Sequence, residues 1–478
     1  MTITLETITV ASAHEAMQKG EYTPLQLAHA FLDEAKKQNP DMNAYLEFYD
    51  DIEAQAKIAS DLFASGKAGM LTGIPVAVKD NILVKGKIAS GASKILVNHV
   101  ATYDATVITK LKAQGAILLG RTNMDEFAMG STTENSAFGV TKNPSDTTRV
   151  AGGTSGGSAA AVAMRGALVA LGSDTGGSVR LPASFCGLVG LKPTYGAVSR
   201  YGLMATASSL DQIGTLAHTV TEARELFQAI KGHDTLDSTS MSDELTKEVS
   251  QKSKLRIGVP RKFVDTPGLS QDVRDAFLST LEHFKKEGHE VVDIELPYLK
   301  YALPTYYIIN PAEISANLAR YDGIRYGYSS ESDNLREVYF NSRGEGFGEE
   351  VKRRILLGTY ILSAGYYDAY YNKANSLREV IRDDFSKAFA SVDVIATPTA
   401  PTAAYKIGEK SSDPLAMYLG DIFTVTANVA GLPALSVPMG ETVDGGKRLS
   451  LGFQLMANMC HEELLFQAGS IVETAWQH

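Results

Sequence analysis

Cysteine is nearly missing: Cys186 and Cys460 are the only two in a chain of 478 residues. Two thiols make no disulfide framework, and these lack C-x-x-C spacing, so two buried structural thiols in a reducing compartment are expected. Long apolar runs are missing as well. The best candidate, "AAAVAMRGALVALG", is broken by Arg165 and is too short to span a bilayer. The N-terminus, "MTITLETITVASAHEAMQKGEYT", has neither a basic n-region nor a continuous apolar h-region and reads as no signal peptide. A cytoplasmic protein without membrane attachment is the expectation. Basic excess is absent too: 55 acidic against 45 basic residues give a net charge of −10, so no general electrostatic drive toward nucleic acid exists. No tandem repeat is visible, and none of the nine histidines falls inside a candidate motif.

What is present is an ordinary globular composition, 44% apolar and 21% charged. Length alone suggests two to four domains, a prior that large α/β enzymes often break. "TPLQLAHAFLDEAKKQ" (23–38) has helical apolar spacing, with Thr23 as N-cap and Pro24 at the first helical position. "GIPVAVKDNI" (73–82) alternates Ile74, Val76 and Val78 and then turns, which predicts a strand ending at a loop. "DATVITKLKAQGAILLGRTNM" reads as helix, Gly115 stop, buried strand and loop, and "SAAAVAMRGALVALGSDTGGS" repeats that order. Such alternation predicts an α/β layered fold. Residues 234–254 are polar and read as an exposed connection, either a domain boundary or a link within one sheet. Strand and helix patterns resume after it, residues 301–372 are tyrosine-rich with helical periodicity, and "VDVIATPTAP" is a late buried strand.

Two glycine-rich stretches carry the chemistry, "VAGGTSGGSAA" (150–160) and "DTGGSVR" (174–180). Gly152 and Gly157 have the spacing of a phosphate loop, but Ser158 stands where its lysine must be. A dinucleotide fingerprint fails as well, for want of a preceding strand and a later acidic partner. Tight packing of small residues accounts for the alanines but not for hydroxyls set between glycine pairs. A nucleophilic serine fits better. Gly176 and Gly177 let consecutive N–H groups converge on one anion beside Ser178. That serine needs a base. His218, the nearest histidine, reads as a helix-start residue, which leaves lysine. Lys79, after an apolar strand, is one that burial would push toward neutrality, although a strand-end lysine alone is more often solvated.

Taken together, "GIPVAVKDNI", "AGGTSGGSAAA" and "GSDTGGSVRLPASFCGLVGLKPTYG" closely resemble the amidase signature family, whose members hydrolyse amides with a Ser–Ser–Lys triad. The resemblance implies Ser178 as acyl-forming nucleophile and Lys79 as terminal base. It implies Thr154, preceded by a cis peptide bond, as the hydroxyl relaying the proton between them. The N–H groups of Thr175, Gly176, Gly177 and Ser178 would form the oxyanion hole. The relay position is usually serine; threonine keeps the hydroxyl but adds a methyl that restricts its rotamers. Ser155 is expected to point its side chain elsewhere.

Within that family, "GRTNMDEFAMGSTTENSAFG", "SLDQIGTLAHTV", "RYDGIRYG", "GFGEEVKRRILLGTYILSAGYYDAYYNKA" and "MYLGDIFTVTANVAGLPALSVP" are similar to the glutaminase subunits of tRNA-dependent amidotransferases. This implies one α/β/α layered domain over residues 1–478 around a large mixed sheet. Its signature core would cover about 70–220 and a helical, Tyr-rich pocket insertion about 300–375. It implies glutamine as substrate, with Arg354 on its carboxylate, Asp421 on its ammonium, and Tyr306 and Gly130 lining the pocket. No metal and no cofactor is expected on this chain. The resemblance implies two partners, a tRNA-binding kinase/transamidase subunit that would use ATP and Mg, and a small third subunit. The chain would then meet tRNA only through the complex. A stand-alone amidase and a scaffold subunit with a triad weakened by Thr154 are the alternatives.

Overall fold

The computed structural model describes residues 3–242, 244–245, 249–265, 268–410 and 414–476. Among the described residues thirteen strands are interspersed with helices. The first five are β1 (Tyr45–Phe48), β2 (Pro75–Lys79), β3 (Ile117–Thr122), β4 (Lys142–Asn143) and β5 (Asp146–Val150). Then come β6 (Val169–Asp174), β7 (Val189–Lys192), β8 (Gln212–Ala217) and β9 (Arg256–Val259). The last are β10 (Glu290–Asp293), β11 (Val394–Pro398), β12 (Ala434–Asp444) and β13 (Lys447–Ala457). All but β4 and β5, which form a separate ribbon, join one 11-stranded sheet in the order β1-β3-β2-β6-β8-β7-β12-β13-β11-β9-β10. The sheet is mixed: β2 runs parallel to both β3 and β6, whereas β6 and β8 pair antiparallel.

Every residue of β2, β3, β6, β7, β8 and β11 is buried, so the sheet centre is covered on both faces. That explains why these strands read as continuous apolar runs rather than as clean alternation. The helix Pro24–Met42 starts as its sequence demands, the Thr23 side chain accepting from Gln26 N with Pro24 at the first position. The polar stretch 234–254 is no boundary of the sheet, since β9 pairs with β11 and β11 with β13 beyond it. Residues 243 and 246–248 of that stretch lie outside the described residues.

The tyrosine-rich region folds as helices Ala302–Asn317, Leu335–Gly346 and Glu349–Ile361, a π-helical turn Tyr367–Asn372 and helix Lys373–Phe389. It contributes to two hydrophobic clusters besides the largest one. One joins Tyr306, Ile309, Ile381 and Phe385 to Ile395, Ala434 and Met456 of β11, β12 and β13, and the other joins Ile314, Leu318, Phe347 and Val351 to Leu83 and Phe127. Among the described residues no helix is long and apolar enough to cross a membrane. Cys186 is buried and Cys460 only half-buried, and both are free thiols.

Candidate active site

Lys79 is the last residue of β2, and no part of it reaches solvent. Its Nζ lies 2.8 Å from Thr154 Oγ1, 2.8 Å from Ser155 Oγ, 2.9 Å from Ser173 Oγ and 3.3 Å from Ser173 O. Burial disfavours the ammonium and brings the pKa down to about 7, although Asp125, Asp174 and Asp211 partly counter it. The amine is therefore poised to act as a base near neutrality.

Ser155 does not point elsewhere, contrary to expectation. Its backbone, at φ −94° and ψ 37°, is not extended, so it and Thr154 do not take opposite faces as strand neighbours would. The two hydroxyls are nonetheless not equivalent. Ser155 Oγ donates its proton to Ser173 O at 3.1 Å, and it can only accept from Lys79. Thr154 Oγ1 has Lys79 as its one hydrogen-bond partner among the described residues, so its proton is free to pass. The Gly153–Thr154 peptide is cis.

After Ser155 the chain enters the small-residue helix Gly156–Ala163, all of whose residues from Gly156 to Val162 are buried. A Cβ on Gly157 would lie 2.3 Å from Asn123 O, so tight packing is also a reason for these glycines. The second glycine stretch turns off the end of β6. Ser155 N donates to Ser178 O at 3.0 Å, which seats Ser178 against the Thr154–Ser155 segment. Ser178 is 7% exposed, and its Oγ makes no hydrogen bond among the described residues.

Asp174 organises this turn. It accepts from Gly177 N at 2.8 Å and Val179 N at 3.1 Å, and it takes Arg180 Nε at 3.0 Å and Nη2 at 2.9 Å. Burial alone would raise its pKa, but the buried Arg180 prevails and holds the carboxyl well below the usual range. Arg180 is itself anchored on Thr424 O, Gln454 Oε1 and Asn428 Oδ1. Of the four N–H groups expected in the oxyanion hole, one is engaged here. The Gly177 N–H is spent on Asp174, whereas those of Thr175, Gly176 and Ser178 donate to nothing among the described residues. Thr175 is fixed from the far side, its Oγ1 donating to Asp211 Oδ1 at 2.7 Å.

The other expected residues gather nearby. A Cβ on Gly176 would lie 2.6 Å from Tyr306 Oη, so that tyrosine closes over the turn. Thr424 Oγ1 donates to Gly176 O at 2.7 Å, tying the turn to the segment that follows Asp421. Asp421 is buried, which raises its pKa to about 7, and it accepts from Tyr307 Oη at 3.0 Å. Arg354 is buried as well. Burial works against its charge, but Glu350 outweighs it and holds the guanidinium protonated. Gly130 sits apart from these, where a Cβ would meet Asp125 Oδ1 at 2.5 Å. Asp125 borders the Thr154 loop, Gly153 approaching it as closely. Sequence reasoning missed Ser155, Ser173 and Tyr307 as partners, although Ser155 and Tyr307 adjoin residues it named and Ser173 lies two positions before Thr175. His218 takes no part, its ring bonded to Val162 O beside the helix Val220–Ile230. No cluster of three or more metal-type ligands occurs among the described residues.

The assembly is thus a buried lysine bonded to a hydroxyl, a serine seated against the segment that carries that hydroxyl, and backbone donors beside the serine, an arrangement suited to cleaving an acyl bond. Comparison with known proteins agrees. The family profile described as Amidase matches residues 26–466. The glutamyl-tRNA(Gln) amidotransferase A subunit of Trichodesmium erythraeum is 50% identical over 477 residues, covering 98% of this chain and 97% of that protein. The protein of the same name from Desulfatibacillum aliphaticivorans is 50% identical over 470 residues, covering 97% and 96%. The crystal structure of the Thermotoga maritima glutamyl-tRNA(Gln) amidotransferase A subunit superposes with a TM-score of 0.81 at 40% identity, covering 100% of this chain and 96% of that one. The chain belongs to the amidase family.

Proposed function

We propose that the chain is the glutamine-hydrolysing subunit of a tRNA-dependent amidotransferase. The observation that carries the reading is the buried Lys79 amine, brought to about 7 and set 2.8 Å from a hydroxyl whose proton is otherwise uncommitted. Neutral Lys79 accepts the Thr154 proton as Thr154 Oγ1 takes that of Ser178. Ser178 Oγ attacks the side-chain carboxamide carbon of glutamine. The N–H groups of Thr175, Gly176 and Ser178 hold the developing oxyanion. The proton returns through Thr154 to the leaving nitrogen, ammonia departs, and a γ-glutamyl ester on Ser178 remains. Water, activated by the same relay, attacks that ester and releases glutamate.

Arg354 receives the α-carboxylate and Asp421 the α-ammonium, with Tyr306 over the scissile amide and Gly130 at the border of the Thr154 loop. The full-length likeness to proteins named as the A subunit of glutamyl-tRNA(Gln) amidotransferase supports a multi-subunit setting. There ammonia passes to a tRNA-binding kinase/transamidase partner, which uses ATP and Mg to activate Glu-tRNA(Gln), or Asp-tRNA(Asn), with a small third partner completing the complex. This chain itself takes no metal or cofactor and works in the cytoplasm. The uncommitted proton of Thr154 favours a working relay over a scaffold role.

The test is glutamine hydrolysis by the complex. Ser178→Ala should lower kcat by about 10⁴-fold or more while the fold is kept. Undiminished activity in that variant would sink the assignment. Vigorous turnover of uncharged amides by the chain alone, indifferent to partners, would instead favour a stand-alone amidase.

A further inference from the structure

We infer that Glu350 is a positioning residue that dictates which edge of the Arg354 guanidinium is offered to substrate. The inference rests on the glutaminase reading above. Glu350 and Arg354 stand four residues apart on the helix Glu349–Ile361, and both are buried, 5% and 3% exposed. Glu350 Oε1 accepts from Arg354 Nε at 2.7 Å and from Tyr418 Oη at 3.1 Å, and its Oε2 accepts from Arg353. Asn310 Oδ1 takes one hydrogen of Arg354 Nη1 at 3.2 Å. Nη2 has no acceptor among the described residues.

A guanidinium grips a carboxylate with two parallel N–H groups, drawn either from the Nε and Nη2 edge or from the two Nη groups. Glu350 closes the first edge. The two Nη groups keep three of their four hydrogens without an acceptor among the described residues, one on Nη1 and both on Nη2. Glutamine's α-carboxylate is therefore met end-on. Two tyrosines border the fork. Tyr307 and Tyr418 stack with ring centroids 4.0 Å apart, and the Arg354 Cζ lies 5.8 and 5.6 Å from them. Tyr307 also donates to Asp421, so one chain of contacts from Glu350 through Tyr418 and Tyr307 to Asp421 sets the separation of the cationic and anionic poles. An α-amino acid has its two charges on one carbon, so its binding depends on that separation.

The experiment is steady-state glutamine hydrolysis by the complex carrying Glu350→Gln, which keeps the size of the side chain and removes its charge. KM for glutamine should rise about ten-fold while kcat changes less than about three-fold, the magnitude expected for a weakened hydrogen bond to a charged group. Tyr418→Phe, which leaves the carboxylate in place, should raise KM in the same direction by a smaller factor and serves if the first variant does not fold. A kcat loss at constant KM, or unchanged kinetics in the folded variant, would overturn the positioning role and leave the glutaminase reading standing. A wild-type complex that hydrolyses no glutamine would overturn both.

Discussion

A lysine without water around it is a weak base, and Lys79 and Asp421 make demands that rising pH satisfies together. In the proposed mechanism Lys79 must lose its proton to serve as base, and Asp421 must lose its proton to hold an ammonium. Both titrate near 7. The sign is the same for each: activity falls as pH drops from 8 to 6. The slope of log kcat/KM against pH should approach two protons on the acid side, and Asp421→Asn should reduce it toward one. A flat profile across that range would contradict both assignments. Thr154 supplies a second check at this scale. Thr154→Ser should preserve or raise kcat, since the hydroxyl stays and the methyl goes. Thr154→Val, nearly the same size without the hydroxyl, should lower kcat by about 10²-fold or more, the usual contribution of positioned proton transfer. Ser155 cannot take over in that variant, because its own proton is bound to Ser173 O.

At the scale of the element, the turn after β6 is held from within by Asp174. Asp174→Ala would strand the buried Arg180 without its counter-charge and should cost about 3–5 kcal/mol, measurable by denaturant unfolding. The pH dependence follows from the depressed native pKa of Asp174. Its stabilising contribution is complete above the ordinary carboxylate pKa near 4 and is lost as pH falls below that. The difference in stability between wild type and variant should therefore narrow in acid. Gly177, at φ +132° with a Cβ position 2.3 Å from Thr424 Oγ1, tolerates no side chain, and Gly177→Ala should distort the neighbouring N–H donors and lower kcat. Local order of this kind was readable from the chain. Thr23 and Pro24 announced a helix start, "GIPVAVK" a strand with its lysine at the end, and "DTGGS" a donor-lined turn. The anchors of Arg180 were not readable, because Asn428 and Gln454 lie 248 and 274 residues away and nothing local marks them as its partners. Spacing also failed to separate Tyr306 from Tyr307: adjacent residues on one helix point about 100° apart, and only packing shows which reaches Asp421. The engagement of Gly177 N by Asp174 was hidden for the same reason, since it depends on how a side chain folds back on its own turn.

At the scale of the whole molecule, the net charge of −10 argues that affinity for polyanions must come from elsewhere. The chain alone should bind tRNA more weakly than about 10⁻⁵ M at physiological salt, and filter binding with and without the partner subunits would measure it. Tight, salt-sensitive binding by the chain alone would show a basic face that the total charge conceals. The origin of the site residues has a different consequence. Lys79, Ser173 and Ser178 come from the ends of β2 and β6, whereas Arg354, Tyr306 and Tyr307 come from helices whose apolar residues pack in clusters other than the one that holds β2 and β6. In the proposed enzyme the nucleophile and the groups that select its ligand thus belong to different elements. Exchange of side chains on the helices between residues 302 and 389 is then a route by which evolution, or a protein engineer, redirects the serine to a new amide.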